Sequence, residues 1–174
     1  VELGSKFKYK KLRFNISGFV SFIDNAIDEV GSTWDGKTEI EGKPVIKRAN
    51  KKNGVYRGVS GFAKAKLPWF TMSAGVTAIE GYYLTEKSGS GEEQKTPARR
   101  VPPVYGKISV KRELPTYNSF VKVTTIFAKR QEQLHSSDLK DLRICETSLH
   151  SGVLQEDCSG SAGWYTINVD SGYK

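Results

Sequence analysis

Cysteine is scarce in this chain. Only Cys145 and Cys158 occur, with no CxxC pair or His-rich spacing beside them. That excludes a zinc-ribbon pattern and a disulfide framework, and a reduced, intracellular compartment is the expectation that follows. Histidine is limited to His135 and His150, and Met72 is the one methionine. No apolar run approaches the ~20 residues of a membrane-spanning helix, and no signal-like apolar segment is present, so the sequence reads as neither transmembrane nor newly secreted. Phosphate loops of the GxxxxGK[ST] or GxGxxG kind are absent, as are internal repeats.

What is present suits one folded unit. The chain has 174 residues, 37% hydrophobic and 26% charged, enough for a single sizeable core. Lysine and arginine number 27 against 19 acidic residues, a formal net charge of +8. The expected partner is therefore anionic: nucleic acid, a phospholipid surface, or both.

Residues 6–16 alternate basic and apolar side chains, with Lys6, Lys8 and Lys10 on one face and Phe7 and Tyr9 on the other. The phase slips at Lys10–Lys11, which reads as a bulged strand whose aromatic residues face inward. From Ser17 the spacing of Phe19, Phe22, Ile23, Ala26, Ile27 and Val30 fits an amphipathic helix closed by Gly31. After glycine-interrupted β-like text, residues 88–103 lack periodicity and predict a mobile loop. YGKISVKREL and SFVKVTTIFAK predict antiparallel strands. A second helix is expected to open at Ser136–Ser137–Asp138 and to bury Leu139, Leu142, Cys145 and Leu149. The segment from Trp164 to Val169 predicts a closing strand. The expected class is α+β: a single domain over 1–174, a mainly antiparallel sheet packed with two α-helices.

Catalytic signals are thin. Asp35, Glu41 and Lys43 loosely match a metal-nuclease pattern, but a solvated charged hairpin explains them better. The two histidines lack triad partners and read as solvated. Neither an enzyme nor a cofactor is expected. Basic residues fall in three clusters: Lys6, Lys8, Lys10, Lys11 and Arg13; Lys43, Lys47, Arg48, Lys51 and Lys52; and Arg99 with Arg100. Such surfaces attract phosphate without reading bases. Pro102, Pro103 and Tyr105 form a PPxY string of the kind WW domains bind, or simply lead the chain into a strand. Leu67, Pro68, Trp69 and Phe70 sit where a turn is expected. They either plug the core or form an exposed self-association or membrane loop.

In pattern and order over nearly the whole chain, the sequence resembles the matrix proteins of rhabdoviruses. FKYKKLRFNIS precedes FVSFIDNAIDEV as the family's aromatic and basic strand precedes its amphipathic helix, and Trp34, Asp35, Gly42, Lys43 and Pro44 follow in the family's order. LPWF occupies the place of its exposed apolar loop, and GSAGWYTINVDSGYK is similar to its ending. The resemblance implies a non-enzymatic virion protein that self-associates, condenses the viral nucleocapsid, and binds an anionic membrane beneath the envelope and the glycoprotein tail. A host-cell pool in the cytoplasm, at membranes or in the nucleus would go with it. A capsid or RNA-binding accessory protein is the alternative from another class, and a metal-dependent nuclease a distant third.

Overall fold

A computed structural model describes residues 1–86, 93–135, 138, 144 and 160–173. Ten strands form: β1 (Glu2–Tyr9), β2 (Leu12–Gly31), β3 (Glu39–Ile40), β4 (Lys43–Pro44), β5 (Ile46–Lys66), β6 (Thr71–Glu86), β7 (Glu93–Pro97), β8 (Tyr105–Leu114), β9 (Ser119–Ala128) and β10 (Trp164–Tyr173). The main sheet runs β1-β2-β5-β6-β8-β9-β10, antiparallel at every pairing. Beyond Thr77, β6 leaves β8 and pairs instead with β7, while β3 and β4 make a separate hairpin.

The α+β expectation is corrected: no α-helix forms among the described residues. Residues 19–30, read as a helix, belong to β2 and pair with β5 from Phe19↔Gly58 to Val30↔Lys47. Two features produced the helical spacing. Phe19 and Ile23 lie on the face opposite Val20 and Phe22, so both faces carry apolar groups. The register then shifts between Ile23 and Ala26 and again before Ile27, with Asn25 at φ 56, and this irregularity breaks the two-residue alternation. The aromatic and β-branched run from Phe19 to Ile23 favours a strand once β5 lies beside it. The second expected helix falls outside the described residues except for Asp138 and Ile144.

The phase slip at Lys10–Lys11 is a turn and not a bulge: Tyr9 pairs with Leu12, and Lys10 takes φ 48. Strands β8 and β9 pair antiparallel from Tyr105↔Ala128 to Leu114↔Ser119, and β10 continues the sheet. Within 88–103, β7 is paired, and Ala98 and Val101 are buried.

Connections at the two ends of the strands differ. At one end the turns are short: Lys10–Lys11, Leu67–Phe70 and Pro115–Asn118. At the other, residues 32–45 and 129–163 link the strands. The row through Lys66 and Thr71 meets Lys111, yet β8 runs on to Leu114 before turning. Strand ends are thus staggered, as tilted strands in a curved or closed sheet require.

Register sorts the side chains onto two faces. One is apolar across neighbouring strands, as in the row Leu12, Ala65, Met72, Val110, Val123 and Val169. The other carries hydroxyls and lysines, with Ser17 Oγ 2.8 Å from Ser60 Oγ and Ser73 Oγ 2.8 Å from Ser109 Oγ. The apolar face is uncovered: Ile167 is 61% and Val169 68% exposed, and Val55, Ala98 and Val101 are the buried hydrophobic residues among those described. The accessible surface is 13285 Å², against about 8,500 Å² for a globular monomer of this mass. This sheet does not bury its own apolar surface.

Candidate functional site

The polar face is concave. Glu2, Lys6, Asn15, Ser17, Ser60, Phe62, Thr77, Lys107 and Ile126, from six adjacent strands, line one open hollow of about 910 Å³. Toward the short turns this face becomes strongly basic. Lys8 pairs with Arg13, and Arg13 with Lys64, so three cations stand side by side on neighbouring strands. Lys111 pairs with Lys122 in the same way. The latter two have acidic neighbours, Lys111 Nζ being 2.7 Å from Glu113 and Lys122 Nζ 3.6 Å from Asp170. Like charges directly opposite one another destabilise a sheet by roughly 0.2–1 kcal/mol per pair, so the basic row is retained at a cost.

The sequence-level basic clusters are divided by the fold. Lys6, Lys8 and Arg13 lie on the polar face, with Lys10 and Lys11 in the adjoining turn, where Lys10 Nζ sits 5.2 Å from the Tyr9 ring centre. Lys43 is in β4, while Lys47, Arg48, Lys51 and Lys52 occupy the opposite end of β5. At about 3.3 Å per residue the two groups stand roughly 40–55 Å apart along the strand. Arg99 Nε lies 3.5 Å from the buried carboxylate of Asp138, and Arg100 is exposed at φ 58. Sequence reasoning missed Lys64, Lys66, Lys107, Lys111 and Lys122. Their alternation in AKAK and KISVK was visible, but the register that joins them to Lys8 and Arg13 was not.

Phe7 and Tyr9, expected to face a core, lie on the uncovered apolar face, each 57% exposed. In the Leu67–Phe70 turn, the Leu67 N–H donates to the Phe70 carbonyl at 2.9 Å and Trp69 is 72% exposed. Trp69→Ser is therefore expected to leave the melting temperature of the chain nearly unchanged while weakening its retention on lipid vesicles, measured by flotation; a sharp fall in melting temperature would assign Trp69 to packing instead. Pro102 is exposed and Pro103 half-buried, and Tyr105 opens β8 opposite Thr77 and Ala128. Asp35 and Glu41 occupy separate turns at φ 51 each, and no group of three or more metal-ligating side chains occurs among the described residues. His135, expected to be solvated, is buried. Its ring meets Tyr83 edge-on at 6.3 Å, and its backbone N–H donates to Asp138 at 3.2 Å. His150, Cys145 and Cys158 lie outside the described residues.

No known protein family matches this chain, and no curated protein sequence matches it. Among solved structures it is similar to the copper transporter OprC, with a TM-score of 0.66 and 14% identity over 99% of this chain and 22% of that one. The chain thus spans about a fifth of the structure it matches. At this identity the likeness concerns the fold alone, an antiparallel β-barrel-like sheet.

Proposed function

We propose that the chain forms an arc of the wall of a membrane-spanning β-barrel that passes solute, its apolar face against lipid and its basic, hydroxyl-rich face toward an aqueous interior. The carrying observation is the sorting of side chains by register into one mainly apolar face, interrupted by Arg112 and the Arg57–Glu80 ion pair, and one mainly polar face across seven adjacent strands. Strands β8, β9 and β10 are each 10 residues long, the length that crosses a bilayer when tilted. Exposed aromatics flank the apolar band: Tyr9, Trp69, Tyr117 and Tyr173 near the short turns, and Tyr165 near the other end. Aromatic girdles and short turns on one side accompany transmembrane barrels. Among the described residues β1 and β10 each have one free edge, so closure needs further strands against both. Copper is the cargo named for OprC; only the architecture is carried over to this chain. Its basic interior suits anionic solutes.

The matrix-layer and capsid readings keep as support the net charge of +8, and the former also the order of Trp34, Asp35, Gly42, Lys43 and Pro44, the LPWF turn and the closing segment, while the helix in that resemblance is a strand. Either would be a water-soluble protein whose apolar face is covered by another copy. Single cysteines placed at Val76, Val123 and Ile167 or at Ser60, Thr77 and Thr166, in a chain with Cys145 and Cys158 replaced by serine, separate the cases after reconstitution into vesicles. The first set is expected to resist an aqueous maleimide and to report lipid-borne quenchers, and the second to react. Equal labelling of both sets, or a stable detergent-free oligomer, overturns the barrel reading.

A further inference from the structure

At the short-turn end of the polar face, a pocket of about 220 Å³ is lined by Lys8, Lys10, Lys11, Arg13, Lys64 and Lys66 alone. Every lining residue is cationic. The pocket is built by register. Lys8, Arg13 and Lys64 share one row across β1, β2 and β5, and the Lys66 N–H donates to the Lys11 carbonyl at 2.9 Å, drawing the first turn against the end of β5. Adjacent strands are about 4.8 Å apart, so the three side chains of the row span about 10 Å. Among the described residues, no carboxylate forms an ion pair with Arg13, Lys64 or Lys66, in contrast to Lys111 and Lys122 on the same face. Beyond Lys64 the row continues into Ser73 and Ser109, which are neutral.

We propose that this pocket is a binding site for a phosphate-class oxyanion, either a free ion or a phosphorylated headgroup. A multivalent tetrahedral anion offers oxygens to donors on three strands at once and relieves the repulsion along the row. Arginine's planar fork matches two such oxygens, and lysine adds mobile point charges. A carboxylate presents two oxygens in one plane and a single charge, and leaves most of the row uncompensated. Chloride supplies charge without directed acceptors. The site depends on the pocket and not on the membrane: it stands whether lipid or another copy covers the apolar face.

The test is titration calorimetry of the full chain in a neutral-headgroup detergent, with inorganic phosphate as the probe at constant ionic strength. Phosphate is expected to bind and chloride to fail to displace it. Arg13→Gln and Lys64→Gln should each weaken binding by about tenfold, the loss of one charge-assisted contact, whereas Lys47→Gln at the far end of β5 should change it by less than about twofold. Lys8→Gln, exposed on the outermost strand, gives the same readout should the other two fail to fold. Mixed micelles with phosphatidic acid identify the source: displacement of phosphate marks a headgroup and undisturbed binding a free ion, and both uphold the site. Equal losses from Lys47→Gln and Lys64→Gln, or tighter binding of an acidic peptide than of phosphate, overturn it.

Discussion

Val169→Arg is expected to destabilise the chain in lipid by about 2–4 kcal/mol, the cost of a cation facing lipid near the middle of a barrel strand. Val169 lies midway along β10, pairs with Val123, and is 68% exposed on the apolar face. Its neighbour Asn168 is also exposed but points to the opposite face, opposite Thr124. Asn168→Arg should therefore cost under about 1 kcal/mol, since surface substitutions away from special features usually stay within ±0.5 kcal/mol. Urea unfolding of both variants in vesicles measures the difference. If the apolar face met water instead of lipid, Val169→Arg would be nearly neutral. A large loss from Asn168→Arg with none from Val169→Arg would reverse the assignment of the faces.

The surface area gives the physical reason to expect so large an asymmetry. A globular domain places apolar residues on an inner surface that it covers itself, and a polar substitution there leaves an unsatisfied group. Here the apolar face is open, and Phe22, Ile167 and Val169 are each more than 60% exposed. Apolar surface of this kind contributes about 25 cal/mol per Å² when removed from water, so its cover, whatever that is, supplies much of the sheet's stability. The polar face carries no such debt, because its hydroxyls pair across strands, as Ser17 does with Ser60.

Strands β8, β9 and β10 were legible because each holds a stretch of two-residue alternation, as in KISVK, VKV and YTINVD, next to Pro, Gly or Asn. Residues 19–30 were not. There Phe19 lies against Gly58 on the polar face, and the irregularity at Asn25 shifts the phase, so local spacing mimicked a helical stripe. Tertiary pairing with β5 decided the outcome, which no window on one strand contains. The search for a long apolar run concerns helices alone, and no helix among the described residues is long and apolar enough to cross a membrane. That search is blind to strands, in which every second residue faces water. The candidate site was half legible: Lys8, Lys10, Lys11 and Arg13 stand together in sequence, but Lys64 and Lys66 join them only through the pairings of β5 with β2.

Gly106→Ala is expected to destabilise the sheet by about 1–3 kcal/mol, the usual range for overpacking, while Gly61→Ala should be neutral or stabilising by up to about 1 kcal/mol through the unfolded chain. The two glycines are both on the apolar face and differ in what surrounds them. A Cβ at Gly106 would stand 2.5 Å from the Gly75 carbonyl oxygen and 2.7 Å from the Phe127 ring, whereas a Cβ at Gly61 would meet nothing within 4 Å. Phe127 pairs with Gly106 across β8 and β9 and could rotate away, but the Gly75 carbonyl belongs to β6 and moves only if the β6–β8 pairing from Thr71↔Lys111 to Thr77↔Tyr105 gives way. That pairing joins the half of the sheet containing β1, β2, β5 and β6 to the half containing β8, β9 and β10. The loss in Gly106→Ala should accordingly appear in hydrogen exchange as deprotection of β6 and β8 together, and Phe127→Ala in the same chain should recover little of it. Full recovery by Phe127→Ala would place the clash on the ring, and equal behaviour of the two glycine variants would show that β6 and β8 do not approach as closely as their register requires.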